Sequence, residues 1–363
     1  MSTLLDRARA IATDLAIHRT AHDREKQLAR PVVAALRESE LLSVLTPTEL
    51  GGHATAPADY VDILEALAAG DSATAWCVMT CSTSTLLAPY LSRATAEAVW
   101  SRTPQPFIAG IFAPMGKLAD GVLAGRWSYA SGCRHADVFF VGALAERRHV
   151  VCLLDRDAVR IADNWDTIGL AGTGSHDLVI ESAAIAADYV TSVFDRAPWS
   201  ASPLYRVPLF GLLSLGIAGC ALGIARSALA HATAKLDEKL PSAAFATIGE
   251  LHATLSSARA YLRTVASDAY ARASELDTTT TAAIDARTRG ELRLASTFVA
   301  QRCADVVRGA FHLGGGASAR SGSAAGSALR DIEMVLTHRM IADRVVPAAT
   351  RAVFGVGTPS PDL

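Results

Sequence analysis

Gly125-Arg-Trp-Ser-Tyr-Ala-Ser-Gly-Cys-Arg-His-Ala136 and Gly169-Leu-Ala-Gly-Thr-Gly-Ser-His-Asp177 are the two stretches of this chain that decide its fold. Both lie in a central region of short segments rich in Val, Ile, Phe and Trp, separated by Gly, Asp and Pro, as is typical of β-strands. The sequence on either side has the periodicity of helices. An order of helices, then strands, then helices is uncommon, so it narrows the fold class at once.

The composition limits the classes of function. The chain has 363 residues, half of them hydrophobic, which is enough for two or three packed layers. Its 34 basic and 36 acidic residues are spread without blocks, so we expect neither a nucleic-acid nor a membrane partner. No apolar signal core opens the chain, and its six cysteines form no CxxC pair, which predicts a cytoplasmic protein with buried, reduced thiols and no metal site.

The same patterns divide the chain into three predicted domains. Residues 1–104 are predicted as an N-terminal α-helical domain, 105–200 as a middle β-barrel domain, and 201–363 as a C-terminal four-helix bundle. The fold class is therefore mostly α with a central β-barrel. Helices are predicted at 4–39 (two, or one bent at Pro31), 59–69, 72–89, 95–101, 207–240, 243–275, 286–312 and 325–353.

Several short motifs occur in one order along this framework. They are Pro-x-x-x-Gly-Gly at 47–52, Pro114-x-Gly116, Arg126-Trp127, Ser131-Gly-Cys-x-His-Ala136, Gly-Thr-Gly-Ser at 172–175 and Arg330-Asp331-x6-His338. Together they resemble the acyl-CoA dehydrogenase superfamily over nearly the whole chain, and within it the two-component (group D) FMN-dependent monooxygenases. The late Tyr-Glu-Gly-Thr stretch that carries the catalytic Glu of acyl-CoA dehydrogenases is missing from this sequence.

The resemblance implies a reaction and its partners. Reduced FMN comes from a separate NAD(P)H:flavin reductase and reacts with O2 to give a C4a-hydroperoxide, which hydroxylates a small aromatic, polyketide-like or amine-bearing substrate. FAD is the alternative cofactor. The resemblance also implies a homotetramer with the flavin between subunits.

The resemblance assigns roles to individual residues. Ser131 is predicted to support the flavin as a catalytic hydroxyl, and His338 to deprotonate or orient the substrate, with Ser84 as a second substrate contact. The predicted cofactor-binding residues are Gly110, Phe112, Trp127, Ser131, Gly132, Thr173, Ser175, Lys239, Phe245, Gly314 and Gly315. Arg259 and Arg263 compete with Lys239 as the cation at the flavin.

Two departures from the family keep other functions open. Relatives that hydroxylate phenols carry a His in the helix matching residues 80–87, where this chain has Cys81-Ser-Thr-Ser-Thr85, and they carry a Ser near Gly110 that is missing here. A phenolate substrate is thus less favoured, and N-oxidation of an amine or amino sugar stays open. Two further alternatives are an FAD-dependent acyl-CoA dehydrogenase with a displaced base such as Glu333, and a flavin-fold protein that has lost catalysis and serves as a binding or assembly scaffold.

Overall fold

The computed structural model describes residues 2–234, 236–238, 240–276 and 284–357. Its helices are α1 (Leu4–Leu15), α2 (Arg19–Glu25), α3 (Arg30–Glu38), α4 (Pro57–Gly70), α5 (Ser72–Thr85), α6 (Arg93–Arg102), α7 (Leu209–Thr233), α8 (Ser242–Glu275), α9 (Ala286–Leu313), α10 (Gly315–Ser318), α11 (Ala324–Leu336) and α12 (Val346–Val353). Its strands are β1 (Ile108–Ala119), β2 (Val122–Ala130), β3 (Val138–Ala145), β4 (Arg148–Asp155), β5 (Arg160–Ile161), β6 (His176–Ala184) and β7 (Val190–Thr191). The predicted order of helices, strands and helices is confirmed.

The N-terminal helices follow local sequence signals. Pro57 opens α4 at a position where its missing N–H costs no hydrogen bond. Asp71 separates α4 from α5 and caps α5, because its carboxylate accepts from the backbone N–H of Thr74. Residues 4–39 form three helices rather than two, because Lys26 takes a left-handed conformation and ends α2 before Pro31.

The central layer is one open mixed sheet, which corrects the predicted barrel. Its seven strands run in the order β5-β6-β2-β1-β3-β4-β7, and all neighbours are antiparallel except the parallel pair β1 and β3. The strands at its two ends, β5 and β7, have two residues each and do not pair with each other, so the sheet cannot close.

Two irregular points in this sheet lie beside Phe112 and Ser131. The register of β1 against β3 shifts between Ile111 and Gly116, across Pro114, which has no N–H to give to the ladder. The register of β2 against β6 shifts between Trp127 and Ala130. Such bulges redirect side chains out of the regular alternation.

The C-terminal helices form the predicted bundle, with one correction. The fourth helix, predicted as continuous over 325–353, ends at Leu336 and resumes at Val346 as α12. His338 lies in the connection, where it caps a short 3-10 turn at Arg339–Ile341 instead of standing on a helix face.

Helix α7 joins the layers, because it packs against α4 and α5 of the N-terminal region and against α9 and α11 of the bundle. A single apolar core therefore runs through both helical regions, while a second one fills the sheet around Trp127. Helix α7 is long and apolar enough to cross a membrane, yet 78% of its most apolar window is buried inside the protein, as in the core helix of a globular fold. All six cysteines are buried free thiols, as predicted.

Candidate active site at the junction of sheet and helices

Ser131 lies just beyond the end of β2, where the sheet meets α5 and the loop at 169–174. The residue is 5% exposed. Gly132 follows with a φ of +72°, and a β-carbon there would overlap the Phe107 ring, so this turn requires glycine. The Gly132 N–H donates to the carbonyl of Thr173 at 2.8 Å, which ties the two glycine-rich stretches together.

The hydroxyls of the two stretches form one hydrogen-bonded cluster. The Ser131 Oγ lies 2.8 Å from the Ser175 Oγ, which lies 2.7 Å from the Thr173 Oγ1. Thr173 in turn donates to the carbonyl of Leu170 at 2.8 Å. Three predicted cofactor-binding residues are therefore brought together, with their hydroxyls bonded to one another and to the carbonyl of Leu170.

Trp76 of α5 connects this cluster to the late histidine. Its indole Nε1 donates to the Ser131 Oγ at 3.2 Å, and its ring meets the imidazole of His338 edge to face, with centroids 5.7 Å apart. The two residues predicted to be catalytic thus share one neighbour. Sequence reasoning missed Trp76, because a Trp in an otherwise small-residue helix is indistinguishable from a core residue by pattern alone.

His338 is held as a neutral ring. Burial, and then the nearby guanidinium of Arg293, lower its pKa to about 4. Its Nδ1 accepts from the backbone N–H of Met340 at 3.2 Å, which places the proton of the neutral ring on Nε2. Arg293 itself is buried in α9 and donates to the carbonyl of Phe210 at 3.1 Å.

Carboxylates from both helical regions hold the loop at 169–174. Asp331 of α11 accepts from the Leu170 N–H at 2.7 Å and from the Ser72 hydroxyl, and burial raises its pKa to about 6. Asp23 of α2 accepts from the Gly172 N–H at 3.3 Å, and burial raises its pKa as well. The hydroxyls of Thr173 and Ser175 are therefore positioned by residues far away in sequence.

Trp127 does not fit its predicted role at the cofactor. The indole is fully buried in the core of the sheet, over Gly116 and Gly125, and its N–H donates to the carbonyl of Gly142 at 2.7 Å. No face of the ring is open to a ligand, so Trp127 is a core residue.

The aromatic surface at this end of β2 belongs instead to Tyr129. This side chain is 71% exposed, it stands edge-on to Trp165 at 6.2 Å, and its φ is +70°. A positive φ is costly for a bulky residue, and residues with such strained backbones cluster at functional sites. The register shift that exposes Tyr129 is a tertiary feature that the motif letters do not reveal.

Gly110 and Ser84, predicted separately, are in contact. The Ser84 hydroxyl donates to the carbonyl of Thr80 at 2.7 Å, and a β-carbon at Gly110 would overlap that hydroxyl. Two residues along β1, the half-buried ring of Phe112 packs against His149 at 4.6 Å and edge-on against Phe210 at 5.4 Å. Gly110 and Phe112 therefore face the helices, where Gly110 contacts Ser84 of α5 and Phe112 contacts Phe210 of α7.

The other predicted flavin contacts that the structure describes belong to the C-terminal helices and their ends. Arg259 and Arg263 pair with the buried carboxylates of Asp62 and Glu65, so the two arginines serve the packing of α8 on α4. Lys239 lies outside the described residues. Phe245 is 43% exposed on α8, while Gly314 and Gly315 are exposed beyond the end of α9.

The chain matches two family models. Residues 2–110 match the acyl-CoA dehydrogenase N-terminal domain and residues 215–343 match the acyl-CoA dehydrogenase C-terminal domain, together more than half of the chain. It is 28% identical to the indole-3-acetate monooxygenase of Pseudomonas putida over 92% of this chain and 89% of that protein.

Solved structures share the fold. The 3-HSA hydroxylase of Rhodococcus sp. RHA1 superposes with a TM-score of 0.91 at 21% identity, covering 100% of this chain and 99% of that one. XiaF from Streptomyces sp., in complex with FADH2 and glycerol, superposes with a TM-score of 0.88 at 20% identity, covering 99% and 98%. At these identities the likeness establishes the fold. The chain is also 27% identical to the flavin-dependent monooxygenase oxygenase subunit HsaA of Rhodococcus jostii, over 48% of this chain and 50% of that protein. The chain belongs to the acyl-CoA dehydrogenase superfamily, and the relatives it matches there include flavin-dependent monooxygenases.

Proposed function

We propose that this protein is the oxygenase component of a two-component, flavin-dependent monooxygenase that acts on a small molecule with an aromatic ring. The single observation that carries the proposal is the arrangement of Ser131, Trp76 and His338 at the junction of sheet and helices, in a chain that matches a monooxygenase over nearly its full length. Reduced flavin supplies the activation of O2 when it is bound, and a separate NAD(P)H:flavin reductase supplies the reduced flavin.

The residues at the junction fit a flavin ring. Tyr129 offers an exposed aromatic face, and the half-buried ring of Phe112 lies on the neighbouring strand. When Ser131 donates to Ser175, Trp76 is its one donor among the described residues, and its oxygen retains one lone pair for a ligand. We propose FMN as the form used, with FAD as the alternative, in a homotetramer with the flavin between subunits.

The substrate is oriented by neutral groups. His338 presents an Nε2–H donor, while Ser84 offers a hydroxyl whose own proton is committed to Thr80. We therefore assign His338 to orient the substrate by donating a hydrogen bond. The rings of Phe112 and Phe210 favour an aromatic substrate by edge-on contact. Oxidation of an amine stays as the second candidate, because the segment at 80–87 has no His where phenol-hydroxylating relatives carry one.

The acyl-CoA dehydrogenase alternative loses its candidate base. Glu333 of α11 forms an ion pair with Arg308 of α9 at 2.7 Å and is partly exposed, which does not favour it as the base of a buried site.

The proposal is tested by supplying reduced FMN and 18O-labelled O2 with a panel of small aromatic acids and amines. We expect one labelled oxygen atom in the product and one in water, at a yield that falls in the Ser131→Ala variant. Unlabelled product, or dehydrogenation of an acyl-CoA with copurified FAD, contradicts the proposal.

A further inference from the structure

The hydroxyl cluster has a fixed direction. The indole N–H of Trp76 can only donate, and the carbonyl of Leu170 can only accept. Since Thr173 donates to Leu170, its single proton is used, and Ser175 must donate to Thr173. Ser131 must then donate to Ser175, and it accepts from Trp76. The chain of donation runs one way, from Trp76 through three hydroxyls to Leu170.

This direction decides what Ser131 can offer a ligand. Its proton points at Ser175, and one of its two lone pairs is taken by Trp76. The group left over is a hydrogen-bond acceptor. Donation from Ser131 to a ligand is disfavoured, because it would leave the buried Ser175 oxygen without its donor.

We propose that Ser175 and Thr173 are positioning residues that keep Ser131 an acceptor, so that the site selects a flavin with a proton on N5, which is the reduced form. The inference rests on the proposed function, since it takes Ser131 to face the N5 edge. It adds the reason for selectivity: reduced flavin donates at N5, whereas oxidised flavin has a bare acceptor there, and two acceptors facing each other repel.

The two ends of this chain of hydrogen bonds should respond differently to substitution. Removing the acceptor end, as in Ser175→Ala or Thr173→Val, frees the Ser131 proton to turn to the ligand. Removing the donor end, as in Trp76→Phe, leaves that proton on Ser175. Selectivity for reduced flavin should therefore depend on Ser175 and Thr173, and persist without the Trp76 N–H.

The experiment measures dissociation constants of reduced FMN, under anaerobic conditions, and of oxidised FMN for the full chain. In Ser175→Ala and Thr173→Val we expect the preference for reduced over oxidised FMN to fall by about fivefold or more, the worth of one hydrogen bond. Thr173→Ser and Trp76→Phe should keep the wild-type preference. Ser296→Ala, which removes another buried hydroxyl bonded within its own helix, is the matched control.

The outcomes distinguish the two proposals. If the wild-type protein prefers reduced FMN and the Ser175 and Thr173 variants keep that preference, the positioning role is wrong and the proposed function stands. If the wild-type protein binds neither the reduced nor the oxidised form of FMN or of FAD, both are overturned. Thermal unfolding without flavin provides a second readout: Ser131→Ala and Ser175→Ala should shift the midpoint non-additively, and additive shifts contradict the hydrogen bond itself.

Discussion

Trp76 and His338 meet edge to face, with ring centroids 5.7 Å apart, although they are separated by most of the chain. The contact joins a helix of the N-terminal region to the turn that interrupts the last part of the bundle. Because the same indole donates to Ser131, a single side chain sets the relative positions of the Ser131 hydroxyl and the His338 imidazole.

His338 should act without changing its charge. Its pKa of about 4 keeps it neutral above about pH 5, so we expect no inflection from this group in the pH profile of kcat/KM between pH 5 and 8. His338→Gln, which can still donate near the Nε2 position, should retain most of the activity, and His338→Ala should lose roughly tenfold in kcat/KM, the worth of one hydrogen bond. A profile whose limb near pH 6.5 disappears in His338→Gln contradicts this role.

The free energy of unfolding of Asp331→Asn should rise relative to that of the wild type as the pH rises. The pKa of Asp331 is raised to about 6, so between about pH 4 and 6 the folded state binds its proton more tightly than the unfolded chain does. The wild type therefore loses stability as the pH rises through that range, by on the order of 2 to 3 kcal/mol, and the amide does not. Urea unfolding at pH 4.5 and pH 7 measures the difference, with exposed Asp166→Asn as the control.

Trp127→Phe should separate stability from cofactor binding. The variant leaves the buried carbonyl of Gly142 without its donor and removes core volume, so we expect a loss of roughly 2 kcal/mol or more in the free energy of unfolding. The folded variant should bind reduced FMN as the wild type does, as measured by anaerobic titration. A large loss of affinity with intact folding would return Trp127 to the flavin site.

Gly110→Ala should lower the free energy of unfolding, by an amount that depends on the side chain at position 84. The added methyl group overlaps the Ser84 hydroxyl, and overpacking of this kind costs about 1–3 kcal/mol. Combining it with Ser84→Ala should recover part of that stability in chemical unfolding experiments. Purely additive losses would mean that the two residues do not press on each other.

The sequence predicts elements well where local chemistry decides them. Asp71 marks a helix start because its carboxylate satisfies an orphan N–H, and the long Ala- and Leu-rich helices follow from periodicity. Closure of the sheet was predicted wrongly, because it depends on whether β5 and β7 reach each other, and their two-residue lengths are fixed by tertiary packing.

The sequence motifs predict which residues gather at the site, but they do not predict how the side chains are oriented there. The motif brings Ser131, Thr173 and Ser175 into one cluster, but it does not state which way a hydroxyl proton points. Trp127 and Tyr129 show the other limit: one register shift in β2 buries the first ring and exposes the second. Arg259 and Arg263 were predicted as candidate cations for the flavin, but the sequence does not show that both pair with Asp62 of α4.

The loop at 169–174 is fastened by Asp23 near the start of the chain and by Asp331 near its end. During synthesis on a ribosome, the second fastening cannot form until α11 has emerged. This contact therefore forms late in synthesis, and a truncated product that lacks α11 should be unable to order the hydroxyl cluster, whatever the state of its sheet.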